Sequence, residues 1–302
     1  MIRVVLVALA AVPFLSGRAD AALVYEAGHH AIVAARNDGA HPRVIAHGFS
    51  PQLSPGGRLV AYFTSGRNGD RLSVVRRDGH HRHVLLTGWS FDGPGVAWSP
   101  DDRYLVAAWN GAPPPVVARL VDVRRRTVRR ITQDWDYAGA TFAPDGDMFV
   151  LETAGSGDRV VDDELRLVDV APGKKKRYFA DGNAALWGLR GIAYEAGRRL
   201  LLRKHVDEQP ETILGRQAFP IDWSADGNRL LAWENSQFTR QAVLIDLSPR
   251  TVRRVKEPIF PVALSRDGSD VLGEMDGDVV ERTSDGTIRL LASDATSPSW
   301  TK

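Results

Sequence analysis

Apolar and polar positions alternate along this chain in short runs, and no long stretch keeps the 3.6-residue period of an amphipathic helix. Segments rich in Val, Leu and Ile are separated by Asp-Gly, Gly-Gly and Pro-Asp turns from Leu23 onward, which predicts an all-β protein. One phrase keeps returning: a large apolar residue, a small or polar one, a Gly/Asp turn and a second apolar run. It reads Leu53-Ser54-Pro55-Gly56-Gly57 before Leu59-Val60-Ala61-Tyr62, and Trp98-Ser99-Pro100-Asp101-Asp102 before Leu105-Val106-Ala107. Further copies are Phe142-Ala143-Pro144-Asp145-Gly146, a looser Tyr194-Glu195-Ala196-Gly197, Trp223-Ser224-Ala225-Asp226-Gly227 and Leu264-Ser265-Arg266-Asp267-Gly268.

The chain ends at Ser297-Pro298-Ser299-Trp300, which matches Ser50-Pro51-Gln52-Leu53 but stops where its turn should begin. The missing runs stand at the other end, as Leu23-Val24-Tyr25-Glu26, Ile32-Val33-Ala34-Ala35 and Arg43-Val44-Ile45-Ala46. A seventh unit split between the ends closes a ring and removes its open sheet edges. Anchors at 54, 99, 143, 195, 224, 265 and 301 lie 45, 44, 52, 29, 41 and 36 residues apart, with 34 left around the seam. The mean of about 40 is the size of a four-stranded blade. The expectation is a seven-bladed β-propeller of antiparallel blades. The 29-residue unit has room for about three strands, with Glu211-Thr212-Ile213-Leu214 standing in for its outer pair; absorbing that unit into its neighbour gives the alternative of six blades.

Strands are labelled A to D from the centre outward. Alternation of direction puts the A-to-B and C-to-D turns on one face, and the B-to-C loops and D-to-A crossovers on the other. The crossovers lead into the central strands and surround the channel mouth. They are read as carrying Phe49; Trp89, Phe91 and Asp92; Asp134, Trp135, Asp136 and Tyr137; Asn183, Trp187 and Arg190; Gln217 and Phe219; and Phe260. Aromatic rings with interspersed Asp and Arg bury much area with few torsions to freeze, so Trp89, Phe91, Asp92, Trp135, Asp136, Tyr137, Trp187, Arg190, Phe219 and Phe260 form the candidate ligand-binding set. The competing role for each ring is a wedge between blades.

Charge narrows the partners. With 39 basic and 37 acidic residues, the formal net charge of +2 cannot supply the field of a general nucleic-acid binder. Met1-Ile2-Arg3, the apolar run Val4 to Leu15 and Ser16-Gly17-Arg18-Ala19-Asp20-Ala21 form a signal-peptide pattern, with cleavage expected after Ala21. The apolar run is too short to span a bilayer, so the expected mature unit is one domain over residues 22–302, secreted or periplasmic, without a membrane span and monomeric. The chain has no cysteine, which excludes a lipoprotein acyl site, disulfides, thiolate metal sites and cysteine nucleophiles. Its core must then supply the stability.

The Trp-Ser-Pro-Asp phrase, the Arg-Asp-Gly strand ends and the closing Leu86-Thr87 and Ile131-Thr132 resemble the TolB-type β-propeller repeat over essentially the whole mature chain. TolB carries an α/β domain ahead of its propeller and binds envelope proteins in the periplasm. Leu23 already belongs to the ring, so the expectation places no such domain here. The resemblance implies an exported binding scaffold for a protein, peptide or glycan.

Motifs for chemistry are few. Gly-x-Ser-x-Gly, His-Glu-x-x-His, a Walker loop and Gly-x-Gly-x-x-Gly do not occur. Asp134-Trp135-Asp136-Tyr137-Ala138-Gly139 copies only part of an EF-hand loop and is read as coincidence. Seven of eight histidines precede residue 84. His41 and His80-His81-Arg82-His83 fall at C-to-D turns, whereas His29, His30 and His47 share the other face and could form a surface metal trio. Lys174-Lys175-Lys176 reads as a solvated hairpin tip. No catalytic residue, metal or cofactor is assigned. The alternative function is a metal-dependent propeller lyase or lactonase acting at the channel mouth.

Overall fold

A computed structural model of the chain describes residues 22–301, apart from 68, 89–95, 111–115, 133–138, 154–162, 175, 236–239 and 256–258. It holds seven four-stranded antiparallel sheets, so the fold is the seven-bladed propeller. Blade 1 comprises Phe49–Leu53, Leu59–Thr64, Arg71–Arg76 and His83–Thr87, and blade 2 Val96–Trp98, Tyr104–Asn110, Val116–Asp122 and Thr127–Arg130. Blade 3 comprises Gly139–Phe142, Met148–Thr153, Glu164–Asp169 and Arg177–Asp181, and blade 4 Asn183–Gly188, Gly191–Ala196, Arg199–Arg203 and Glu211–Leu214. Blade 5 comprises Ala218–Trp223, Arg229–Asn235, Arg240–Leu247 and Arg250–Arg254, and blade 6 Phe260–Leu264, Val271–Met275, Asp278–Arg282 and Ile288–Ala292. Blade 7 takes its A strand, Ala295–Trp300, from the C-terminal end and its other three, Ala22–Ala27, Ala31–Arg36 and Arg43–His47, from the N-terminal end.

The seam is hydrogen-bonded throughout. Leu23 pairs with Trp300 and Ala27 with Ala295. The Ala22 amide donates to Thr301 Oγ1 at 3.1 Å, and the Thr301 amide donates to the Ala22 carbonyl at 3.0 Å. Ser50 and Ser297, matched by sequence, have the same left-handed backbone, with φ of 49° and 51°.

The recurring phrase is a hydrogen-bond relay. The Ser99, Ser224 and Ser265 hydroxyls donate to Asp101, Asp226 and Asp267 at 2.6, 2.6 and 2.7 Å. Each serine oxygen also accepts the amide five residues on, from Tyr104, Arg229 and Asp270, at 2.7 to 2.9 Å. Both side chains thus satisfy backbone donors that the tight turn would otherwise leave without partners.

The large residue before the serine joins blades. The indoles of Trp98, Trp223 and Trp300 donate to the carbonyls of Gln52, Leu186 and Leu264 in the preceding blade, at 3.3, 3.2 and 3.0 Å. At the alternate junctions the anchor's own amide does the same work. Leu53, Trp187 and Leu264 donate to Ser299 Oγ, Thr141 Oγ1 and Asp222 Oδ2 at 3.1, 2.9 and 2.8 Å. Apolar clusters fill the spaces between facing sheets, as where Leu202, Trp223 and Leu230 join blades 4 and 5.

Blade 4 departs from the expectation. Tyr194-Glu195-Ala196-Gly197 is its B strand and B-to-C turn, and the A-to-B turn is the two-residue Leu189-Arg190. The anchor is Trp187, paired with Ile192 as Trp223 is with Leu230. With the fourth anchor at 188, the spacings of 52 and 29 become 45 and 36, and this blade has all four strands. Its turn carries no Ser-x-Asp relay, and Gly188 and Gly191 take its place.

Candidate functional site

Of the expected crossover set, Trp89, Phe91, Asp92, Trp135, Asp136 and Tyr137 lie outside the described residues. The other four separate. Trp187 sits inside the A strand of blade 4, half-buried against the cluster of Val150, Leu165 and Ile192, as a wedge between blades 3 and 4. Arg190 is in the A-to-B turn and therefore on the opposite face, where its guanidinium donates to Asn228 Oδ1 in the next blade's turn. Both displacements follow from the contracted turn, which moved the true A strand into the segment read as a crossover.

Phe260 meets a residue that sequence reasoning missed, and Phe219 is that residue's cross-strand neighbour. Phe219 is cross-strand partner to Trp233 within blade 5, and the Phe260 ring of blade 6 lies 5.3 Å from the Trp233 ring at 47°. Phe260 is 62% exposed, although its ring is held by a neighbour. Trp233 lies in the apolar run Leu230-Leu231-Ala232, so its pattern is that of a core strand; only its pairing with Phe219 distinguishes it. Phe49 stacks on Phe63 in the corresponding place of blade 1, 5.8 Å apart.

Beside Trp233 stands a buried carboxylate. Glu234 Oε1 pairs with the half-exposed Arg216 guanidinium at 2.7 Å, while Oε2 is buried with no hydrogen-bond partner among the described residues. The crossover from blade 4 contributes Gln217, whose carbonyl accepts the Asn235 amide at 3.1 Å. Alternation along the strand turns Glu234 away from Trp233, so the ion pair with Arg216 lies on the blade 4 side of blade 5 and the rings on its blade 6 side.

Three more glutamates brace the same face. Glu26 Oε2 accepts the Ser50 amide at 3.2 Å and Glu274 Oε1 the Ser297 amide at 2.6 Å. Glu152 accepts the amides of Ala184 and Ala185; burial pushes its carboxyl up, Asp163 adds to that rise, and the amides oppose it. Each glutamate ends a B strand and holds the left-handed kink at Ser50, Ala184 or Ser297 in the next blade's A strand. These carboxylates position the crossover ends.

His29 and His30 lie in the B-to-C loop of blade 7 and His47 at the end of its D strand, on the face expected. His30 Nδ1 is bonded to Glu26 Oε1 at 2.7 Å. Among the described residues no three His, Cys, Asp or Glu side chains gather in a metal-binding arrangement, so the histidines do not form the trio considered from sequence. The EF-hand-like Asp134 and Asp136 lie outside the described residues. No helix among the described residues is long and apolar enough to cross a membrane.

A cleft lies on the opposite face. It holds about 580 Å³ between blades 1 and 2, among Arg58, Arg76, Arg77 and Arg124.

No protein-family model matches the chain, and no curated protein matches its sequence. Among solved structures, TolB from Acinetobacter baumannii is 16% identical with a TM-score of 0.59, over 93% of this chain and 66% of that one. An oligogalacturonate lyase in complex with manganese is 14% identical with a TM-score of 0.63, over 89% and 83%. A puromycin-hydrolyzing peptidase from Mycobacterium tuberculosis is 15% identical with a TM-score of 0.63, over 91% and 52%. The chain thus spans just under two thirds of the TolB chain and about half of the peptidase. At these identities the likeness establishes the fold, a TolB-type propeller, and binding and catalytic proteins both stand among its neighbours.

Proposed function

We propose that the chain is an exported binding scaffold that engages a protein, peptide or glycan on its crossover face. The observation that carries the reading is the Trp233-Phe260 pair, with Phe219 opposite Trp233 in the sheet, in which an exposed ring is fixed against a second before any partner arrives. Preorganised aromatic area costs little entropy on association. Arg216, half-exposed in the crossover into blade 5, adds a guanidinium to that face. Trp89, Phe91, Asp92, Trp135, Asp136 and Tyr137, outside the described residues, belong to the proposed set on their sequence pattern alone. Trp187 and Arg190 are assigned to blade packing and to the opposite face.

Export rests on the signal-peptide pattern of residues 1–21, and on the neighbouring TolB structure for a periplasmic location. The first strand among the described residues begins at Ala22, so removal after Ala21 would leave every described strand of the ring intact.

A photocrosslinking residue at position 260, with one at Leu189 as control, tests the face. Leu189 is similarly exposed, at 64%, but lies on the turn face. Incubation with envelope extract should give discrete adducts from position 260 only, and Trp233→Ala should abolish them. Equal labelling from both positions would sink the assignment.

A further inference from the structure

On the turn face, blades 2, 3 and 5 end the C strand in an aspartate whereas blades 1 and 7 end it in an arginine, and blade 1 borders the cleft. In blade 2, Arg103 lies four residues beyond the turn serine and donates from Nε and Nη2 to Asp122, at 3.1 and 3.0 Å. Asp122 closes the C strand opposite Tyr104. Blade 3 has Asp169 at the corresponding place, opposite Met148, and blade 5 has Asp246, opposite Arg229 and bonded to it at 2.6 Å. Blade 1 reverses the charge. Arg58 takes the position of Arg103, four residues beyond Ser54, and the residue opposite Leu59 at the end of the C strand is Arg76.

The reversal leaves guanidiniums around an open cleft. Arg58 and Arg76 enter from blade 1 and Arg124 from the C-to-D turn of blade 2. Arg58 and Arg124 are exposed, and no described carboxylate pairs with either. Two of the acids in the wall are bonded to backbone or hydroxyl donors, and the third pairs with Arg76, which leaves Arg58 and Arg124 as the cleft's exposed guanidiniums without a described carboxylate. Asp102 Oδ1 takes the Gly56 amide at 2.8 Å. Asp101 Oδ1 takes the Ser99 hydroxyl and the Arg103 amide at 2.6 and 3.2 Å. Asp78 pairs with Arg76 at 2.7 Å and accepts the His80 amide at 3.0 Å, which with Arg76 holds its carboxyl below the usual range. The volume is that of a small-molecule site, and planar guanidinium forks match oxyanions.

We propose that the cleft between blades 1 and 2 binds a small ligand carrying two or more oxyanion charges, such as a phosphate ester or a polycarboxylate, between Arg58 and Arg124. The site is separate from the crossover face, and its test does not depend on that reading.

Isothermal titration at low ionic strength with inorganic pyrophosphate and, separately, citrate tests it and distinguishes the two sources of charge. Saturable one-to-one binding of at least one probe is expected, weakening as salt is added. The double variant Arg58→Gln/Arg124→Gln should weaken it at least tenfold. Arg76→Asp, which rebuilds the charge arrangement of blade 2, should weaken it comparably. Arg254→Gln, on the outer strand of blade 5, should leave it unchanged. Thermal melting of each variant establishes that the ring is intact. Failure of wild type to bind either probe saturably overturns the proposal. So does binding by the folded double variant or by Arg76→Asp as tight as wild type, or an equal loss in Arg254→Gln, which would mean diffuse charge.

Discussion

At the scale of single residues, the aspartates of the turns are structural acids. Ser224 Oγ and the Asn228 amide and side chain donate to Asp226, and together they hold its carboxyl down at about 2. A depressed folded value means that the ionised form stabilises the fold above the unfolded value, near 4, and that this contribution fades as pH falls through about 2. Asp226→Asn should therefore cost about 0.5–1 kcal/mol at pH 7, a size limited by the solvent exposure of the turn. Urea unfolding should show the gap from wild type closing between pH 4 and pH 2. A gap independent of pH would mean that the carboxylate's charge plays no part.

At the scale of elements, the ring depends on how each A strand meets its predecessor. Gly188 ends the A strand of blade 4 where the Trp223 indole crosses to the Leu186 carbonyl. A Cβ there would stand 2.5 Å from Trp223 Cδ1, so the indole can pass only because the position has no side chain. Gly188→Ala should destabilise by about 1–3 kcal/mol through overpacking, whereas Trp223→Phe, which removes the hydrogen bond and part of the ring, should cost at least ~1 kcal/mol. Chemical denaturation measures both. An alanine tolerated at 188 without loss would show that the junction can relax.

The blade 4 junction also marks where reading from sequence stops working. Blades 1, 2, 5 and 6 were legible because the serine must stand at a fixed place to cap its turn, and Asp101, Asp226 and Asp267 complete the relay in three of them. In blade 4 the turn shrinks to Leu189-Arg190 and needs no relay, so Glu195-Ala196-Gly197, a turn of the same composition one hairpin later, took its place. The candidate surfaces were less visible still. Phe219 and Phe260 were found as crossover aromatics, but Trp233 has the pattern of a buried strand residue. Arg58 and Arg124 come from two turns and Arg76 from a strand end, and only the ring brings them together.

At the scale of the whole molecule, one strand decides whether a ring exists. Ending the chain after Asp294 would leave Ala22–Ala27 with an uncovered inner edge and remove Trp300 from its contact with blade 6. Such a chain should lose cooperative thermal unfolding and aggregate. A permutant that joins Thr301 to Ala22 through a short linker and opens at Gly173, where the turn is unobstructed, should melt close to wild type. A soluble, cooperatively melting truncation would show that the seam is dispensable.

The split seventh blade also imposes an order on synthesis. Its three outer strands leave the ribosome before the other six blades and their partner after them, so the nascent chain carries an unfinished sheet until the sixth blade has been made. Until then that edge is open to pairing with a neighbouring chain, which makes holding factors and the pace of elongation natural determinants of yield.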